Sequence, residues 1–145
     1  MKIPALLAVL SLAVATTTFA GEKSTDIKGI QGTWLPVKAE LRGVVMKDEA
    51  LKKIEWLKLN DGNYEVKAES LDKGTYEINS GAKPKTIDVT GTEGPNIGRK
   101  MPAIYELNGD TLVICYGLGG SPRPTEFKSA VGTKNFLVTY KRKKV

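Results

Sequence analysis

Gly32-Thr33-Trp34 opens the first strand-like segment of the chain, residues 31–41. Leu35, Val37, Ala39 and Leu41 then alternate with Pro36, Lys38 and Glu40. That period of two is expected of a strand with one buried face. A tryptophan at the head of such a strand carries a large apolar surface that something must cover. If the following strands close into a barrel, Trp34 is placed to plug one end. Pro36 has no N–H to give to a ladder, so it predicts an edge position or a bulge.

The rest of the chain supplies the other strands. Residues 54–60 form one whose apolar phase slips between Trp56 and Leu57, predicting a bulge or burial on both faces. Asn60-Asp61-Gly62-Asn63 is a hairpin signal, because Asp-Gly suits a turn with positive φ. Tyr64, Val66 and Ala68 share one face of the next strand, opposite Glu65, Lys67 and Glu69. Residues 74–79 carry Tyr76 and Ile78, Asn79-Ser80-Gly81 turns the chain, and 85–89 form a further strand. A Gly/Pro-rich loop at 91–99 leads into a strand at 100–107, and Asn108-Gly109-Asp110 makes a second tight hairpin. Residues 111–116 are nearly all apolar, which predicts cover on both faces. A long loop at 117–127 follows. The last strand, 135–141, has Phe136, Val138 and Tyr140 in phase. One short helix is expected near 48–53, capped by Asp48, with Leu51 and Ile54 facing inward.

These features predict an all-β fold: an antiparallel up-and-down β-barrel of about eight strands, with a two-sheet sandwich as the alternative. Closure removes exposed edges. Eight strands leave an interior filled by side chains or just wide enough for one small ligand.

The chain start reads as a secretory signal peptide over 1–20. Lys2 gives a positive n-region, residues 5–14 an apolar h-region, and Thr18-Phe19-Ala20 ends in small residues at the cleavage positions. The apolar run is shorter than the roughly 20 residues a membrane span needs. The protein is therefore expected to be exported, periplasmic or extracellular after cleavage following Ala20. Residues 21–29 read as a flexible lead-in, with Ile27 and Ile30 available for a short helical turn over a barrel mouth. Residues 30–145 form the barrel domain, long enough to bury roughly two-thirds of its unfolded surface.

The composition narrows the chemistry. There is no histidine and one cysteine, which excludes Ser-His-Asp and Cys-His catalysis and His- or thiolate-ligated zinc. Cys115, between Ile114 and Tyr116, is expected to pack as a small hydrophobe. The net charge is +6, spread along alternating segments. The one dense run, Lys141-Arg142-Lys143-Lys144, reads as the end of a strand entering water. No cofactor, metal or nucleic-acid partner is expected.

Gly32-Thr33-Trp34 on the first strand, together with Arg142 at the end of the last, resembles the lipocalin pattern. That resemblance implies an arginine laid across the tryptophan face, where a guanidinium gains cation–π attraction. The chain also resembles an uncharacterised family of small exported domains expanded in planctomycetes. The residues that carry this are Gln31-Gly32-Thr33-Trp34, Pro84-Lys85-Thr86-Ile87-Asp88, Gly94-Pro95, Ile104-Tyr105-Glu106-Leu107, Gly109-Asp110-Thr111-Leu112 with Ile114-Cys115, Arg123-Pro124-Thr125-Glu126-Phe127, and residues 137–142. It implies a lipocalin-like fold and carries no established activity.

Among functional candidates, Arg123, Thr125 and Glu126 could line a barrel mouth and meet a polar ligand group, or Arg123 and Glu126 could pair locally while Phe127 pins the loop. Tyr64, Tyr76, Tyr105, Tyr116 and Tyr140 fall one per strand; Tyr105 and Tyr116 are the candidates for apolar contact with a hydroxyl handle. Asp88 alternates with Ile87 and Val89, so it is expected on the outer wall, bonded to a loop or a lysine. Gly94 to Lys100 fails as a phosphate loop, with the wrong glycine spacing and no Ser/Thr after the lysine. The function expected is non-catalytic binding of a small, partly apolar ligand in or at the mouth of the barrel. A filled barrel acting as an envelope protein-interaction module, inhibitor or assembly factor, is the alternative. A carboxylate enzyme ranks last.

Overall fold

The structure is a computed structural model that describes residues 20–144. The expected signal segment therefore lies outside the described residues except for Ala20. The strands are β1 Gly32–Leu41, β2 Val44–Val45, β3 Trp56–Asn60, β4 Asn63–Lys67, β5 Leu71–Asn79, β6 Thr86–Glu93, β7 Lys100–Asn108, β8 Thr111–Gly117 and β9 Asn135–Arg142. Each pairs antiparallel with its neighbour in the order β2-β1-β3-β4-β5-β6-β7-β8-β9, and β1 also pairs with β9. That last ladder closes an eight-strand barrel and settles the choice against a sandwich. The two-residue β2 is an extra strand outside the closure, pairing Val44 and Val45 with Leu41 and Glu40.

The hairpins form where the turn residues ask for them. Asp61 and Gly62 both take positive φ, 52° and 80°, between β3 and β4, and Gly109 takes 58° between β7 and β8. The inward row runs through Trp34, Leu57, Leu59, Tyr64, Ile78, Ile87, Val89, Ala103, Tyr105, Leu112, Ile114, Val138 and Tyr140, all buried.

In β1 the register against β9 shifts between Pro36 and Lys38. This is the bulge that Pro36 predicts, and it changes the strand's parity. Trp34 faces inward before it and Ala39 after it. Val37, expected inward, sits at the bulge and is half exposed. The helix expected at 48–53 is α2 Asp48–Leu51, with Leu51 buried. Its N-cap is Lys47 rather than Asp48, and no side chain caps it.

Residues 21–29, expected as a flexible lead-in, fall in the helix α1 Ala20–Gly29. Two anchors explain the order. Ile30 is fully buried and Ile27 is not. Asp26 accepts hydrogen bonds at Oδ2 from Lys85 Nζ at 2.9 Å and Tyr105 Oη at 2.6 Å.

Trp34 seals the end beneath α1. Its indole N–H donates to the Ile30 carbonyl at 2.9 Å. The Arg142 guanidinium carbon lies 4.3 Å from the ring centroid. Arg142 also donates to the Gln31 carbonyl at 2.6 Å, the Gly29 carbonyl at 2.5 Å and Asp110 Oδ1 at 3.0 Å. Gly32 makes this possible: its φ is 135°, and a Cβ there would come within 2.7 Å of the guanidinium. Replacing Trp34 with Ala removes the plug and leaves a cavity under a charged group, so the domain should lose about 3–5 kcal/mol. Urea unfolding monitored by circular dichroism measures this. An unchanged midpoint would show that the indole is not a structural plug.

Candidate functional site

Trp34, α1 and the 60–63 and 108–111 turns occupy one end of the barrel. The other end is bounded by the segments at 42–55, 68–70, 94–99 and 118–134. A cavity of about 220 Å³ opens inside the barrel toward that second end. Leu59, Ile87, Ile114 and Tyr140 line it in the buried interior. Ile54, Val66, Met101, Leu118, Tyr116 and Phe136, all half-buried, surround it nearer the rim. Tyr116 and Phe136 stack with ring centroids 6.0 Å apart. The cavity is therefore an apolar well whose polar groups are few enough to name.

One polar group is the pair Tyr116 Oη and Tyr140 Oη, 3.1 Å apart. Burial raises both phenols above the ordinary value, Tyr140 to about 12, because a phenolate there would lose much of its hydration. The other is a cluster around Asp72. Its Oδ2 accepts from Tyr64 Oη at 3.1 Å and from Asn96 Nδ2 at 2.8 Å, and its Oδ1 accepts from the Asn96 backbone N–H at 3.3 Å. Tyr64 is raised well above the usual phenol range, first by burial and then by the adjacent Asp72 charge and hydrogen bond.

Two glycines admit this cluster. A Cβ on Gly74 would lie 2.5 Å from the Tyr64 ring and 1.9 Å from the Thr90 carbonyl. On Gly91 it would meet the Asn96 carbonyl at 1.9 Å. Gly91 also accepts from the Gly98 N–H and donates to the Arg99 carbonyl, so the 94–98 turn folds back over β6 and delivers Asn96 to the barrel mouth. β6 thus continues to Glu93, four residues past the expected end at Val89.

Of the five ligand-binding candidates Arg123, Thr125, Glu126, Tyr105 and Tyr116, Tyr116 lines the cavity, and of the other tyrosines read as inward, Tyr64 and Tyr140 line it too. Tyr105 faces inward but at the Trp34 end, where its hydroxyl is committed to Asp26 and burial raises it first. Arg123, Thr125 and Glu126 lie away from the mouth. The 118–134 loop packs along the outside of β7 and β8, where it buries Ile104 and Cys115; the Cys115 thiol, raised by burial, donates to the Lys128 carbonyl. This is why residues 111–116 are apolar on both faces. Arg123 donates to the Ala103 carbonyl at 2.8 Å and pairs with Asp88 at 2.6 Å, the outer-wall contact expected of Asp88. Glu126 is exposed beside Lys128, and Phe127 is half-buried while Pro124 is buried. Thr125 lines a wider, shallow depression on this loop, of about 620 Å³. The depression borders glycines and prolines, and its arginine is already bonded, so it offers less recognition chemistry than the smaller barrel cavity.

Sequence reading missed Asp72 and Asn96. For Asp72 a signal exists: the inward alternation Ile78, Tyr76, Gly74 continued two residues back reaches it. Asn96 sits in a loop with no period to follow. Among the described residues, no group of three or more cysteine, aspartate or glutamate side chains is placed to hold a metal ion. Comparison with family models, curated proteins and solved structures gives no match.

The raised tyrosines set an alkaline limit. Above the ordinary phenol value of 10.0, the folded chain keeps protons that the unfolded chain releases, so stability is fully present below pH 10 and falls as pH rises toward 12. Unfolding midpoints across that window should drop, with phenolate absorbance appearing in step with unfolding. Phenolate appearing in the intact fold near pH 10 for all five tyrosines would contradict the burial assigned to them.

Proposed function

We propose that the protein is an exported, non-catalytic binding protein that holds a small, partly apolar ligand in the barrel cavity opposite Trp34. The observation that supports this most is the cavity itself. An interior of about 220 Å³ is roughly seven water volumes, left in a barrel that closes tightly at its other end. Its wall is apolar with two polar positions, the composition of small-molecule sites, in which a few placed polar groups orient an apolar body. The ligand is the size of a single ring with a short side chain. Export and release into the periplasm or beyond follow from the signal-peptide reading of residues 1–20.

One observation favours the second reading, a module that docks an envelope protein. Val37, Val44, Val45 and Val131 are exposed at 50%, 66%, 53% and 84%, and among the described residues β2 leaves one strand edge unpaired.

Native mass spectrometry of the protein purified from its own envelope separates the two. The carrier reading expects a bound small molecule, released on denaturation and lost in Val66→Trp, which fills the rim of the cavity while the fold persists. A stoichiometric protein with an empty barrel would overturn it in favour of the docking module.

A further inference from the structure

The geometry points to a more specific ligand class: we infer that the cavity selects a small apolar molecule bearing a cationic, hydrogen-bond-donating head, and that Asp72 receives that head. This rests on the carrier reading above.

Asp72 is 7% exposed and lines the cavity. A buried carboxylate is costly unless its charge is matched and its lone pairs are filled. Neither condition is met by the described residues. Among the described residues, the ion pairs all lie elsewhere: Asp26 with Lys85, Asp88 with Arg123, Asp110 with Arg142, Glu65 with Lys73, Glu40 with Lys38, and Glu126 with Lys128. No cation among the described residues pairs with Asp72. Its hydrogen bonds are also incomplete. A carboxylate offers about four acceptor positions. Two on Oδ2 are taken by Tyr64 and Asn96, and one on Oδ1 by the Asn96 N–H, which leaves one on Oδ1.

The neighbours are arranged to keep the carboxylate in place. Tyr64 and Asn96 both donate to it, so they hold its orientation without neutralising it. The ring of Tyr64 and the apolar wall formed by Val66, Val89 and Met101 border the same space. An ammonium there meets a fixed carboxylate and an aromatic face, while its apolar body fills the well toward Ile114 and Tyr140. A carboxylate-bearing ligand would instead meet a like charge.

The test uses three probes of matched shape, phenethylammonium, phenethyl alcohol and phenylacetate, titrated by calorimetry and by chemical-shift changes. The intact protein should bind the ammonium roughly ten- to hundredfold tighter than the alcohol, and phenylacetate weakest. Asp72→Asn should abolish the preference for the ammonium while retaining the alcohol. If that variant does not fold, the preference of the intact protein alone decides. Equal binding of all three probes would overturn the role of Asp72 and leave the carrier reading standing. Binding of none of them to the folded protein would overturn both. Retention of the ammonium preference in Asp72→Asn would assign it to another group and overturn the inference.

Discussion

One contact holds the first and last strands of the barrel together. Arg142, from the last strand, lies over Trp34 of the first and donates to the carbonyls of Gly29 and Gln31. The guanidinium therefore joins three elements at once: the end of α1, the head of β1 and the tail of β9. An indole is large enough to fill the end of an eight-strand barrel, but it leaves carbonyls above it without partners. The planar fork of arginine covers the ring and satisfies those carbonyls in a single side chain. Gly32 then follows as a requirement of space. The first and last strands are thus tied by the same few atoms, and the ladder between β1 and β9 can close.

With that end fixed, the interior divides. The Trp34 end is plugged by the indole, and its buried carboxylate Asp26 is paired with Lys85 and Tyr105, as Asp110 is with Arg142. The other end holds a void, and its polar groups lean on one another without charge balance. The contrast is one of packing. Where bulky residues meet across the barrel it is full. Where Gly74 and Gly91 replace side chains, a tyrosine ring and a turn enter and leave space around themselves.

How much of this could be read from the chain follows from the range of each interaction. The hairpins are local, and Asp61-Gly62 and Asn108-Gly109 announce them. Strand faces are local too, so Tyr64, Val66, Ile87 and Val138 fall where alternation puts them. The Trp34–Arg142 contact is long-range, and only the resemblance of Gly32-Thr33-Trp34 and Arg142 to the lipocalin pattern points to it; closure alone places the indole at one end without naming its cover. The course of the 118–134 loop was not legible. Arg123 suits a barrel mouth or an outer wall equally well, and only the position of Asp88 and the Ala103 carbonyl decides. Asp72 was hidden for another reason. Beside Leu71 it looks like a turn residue, and hydrophobicity gives the two the wrong sides: Leu71 is exposed and Asp72 buried. A polar residue turned inward against its own propensity departs from local consistency, and such departures gather at functional positions.

The bulge in β1 also governs registration. A strand with a strict period of two can slide along its partner by two residues and keep every side chain on the same face. β1 cannot. Trp34 is matched to Arg142 on one side of the extra residue, and Ala39 to Val138 on the other. A two-residue slide would carry the irregularity into a part of β9 whose inward residues continue without a break. It would also draw Trp34 away from the guanidinium that covers it. The misaligned ladders that a closing barrel must avoid are thus penalised at two points at once, and the seam has a single alignment.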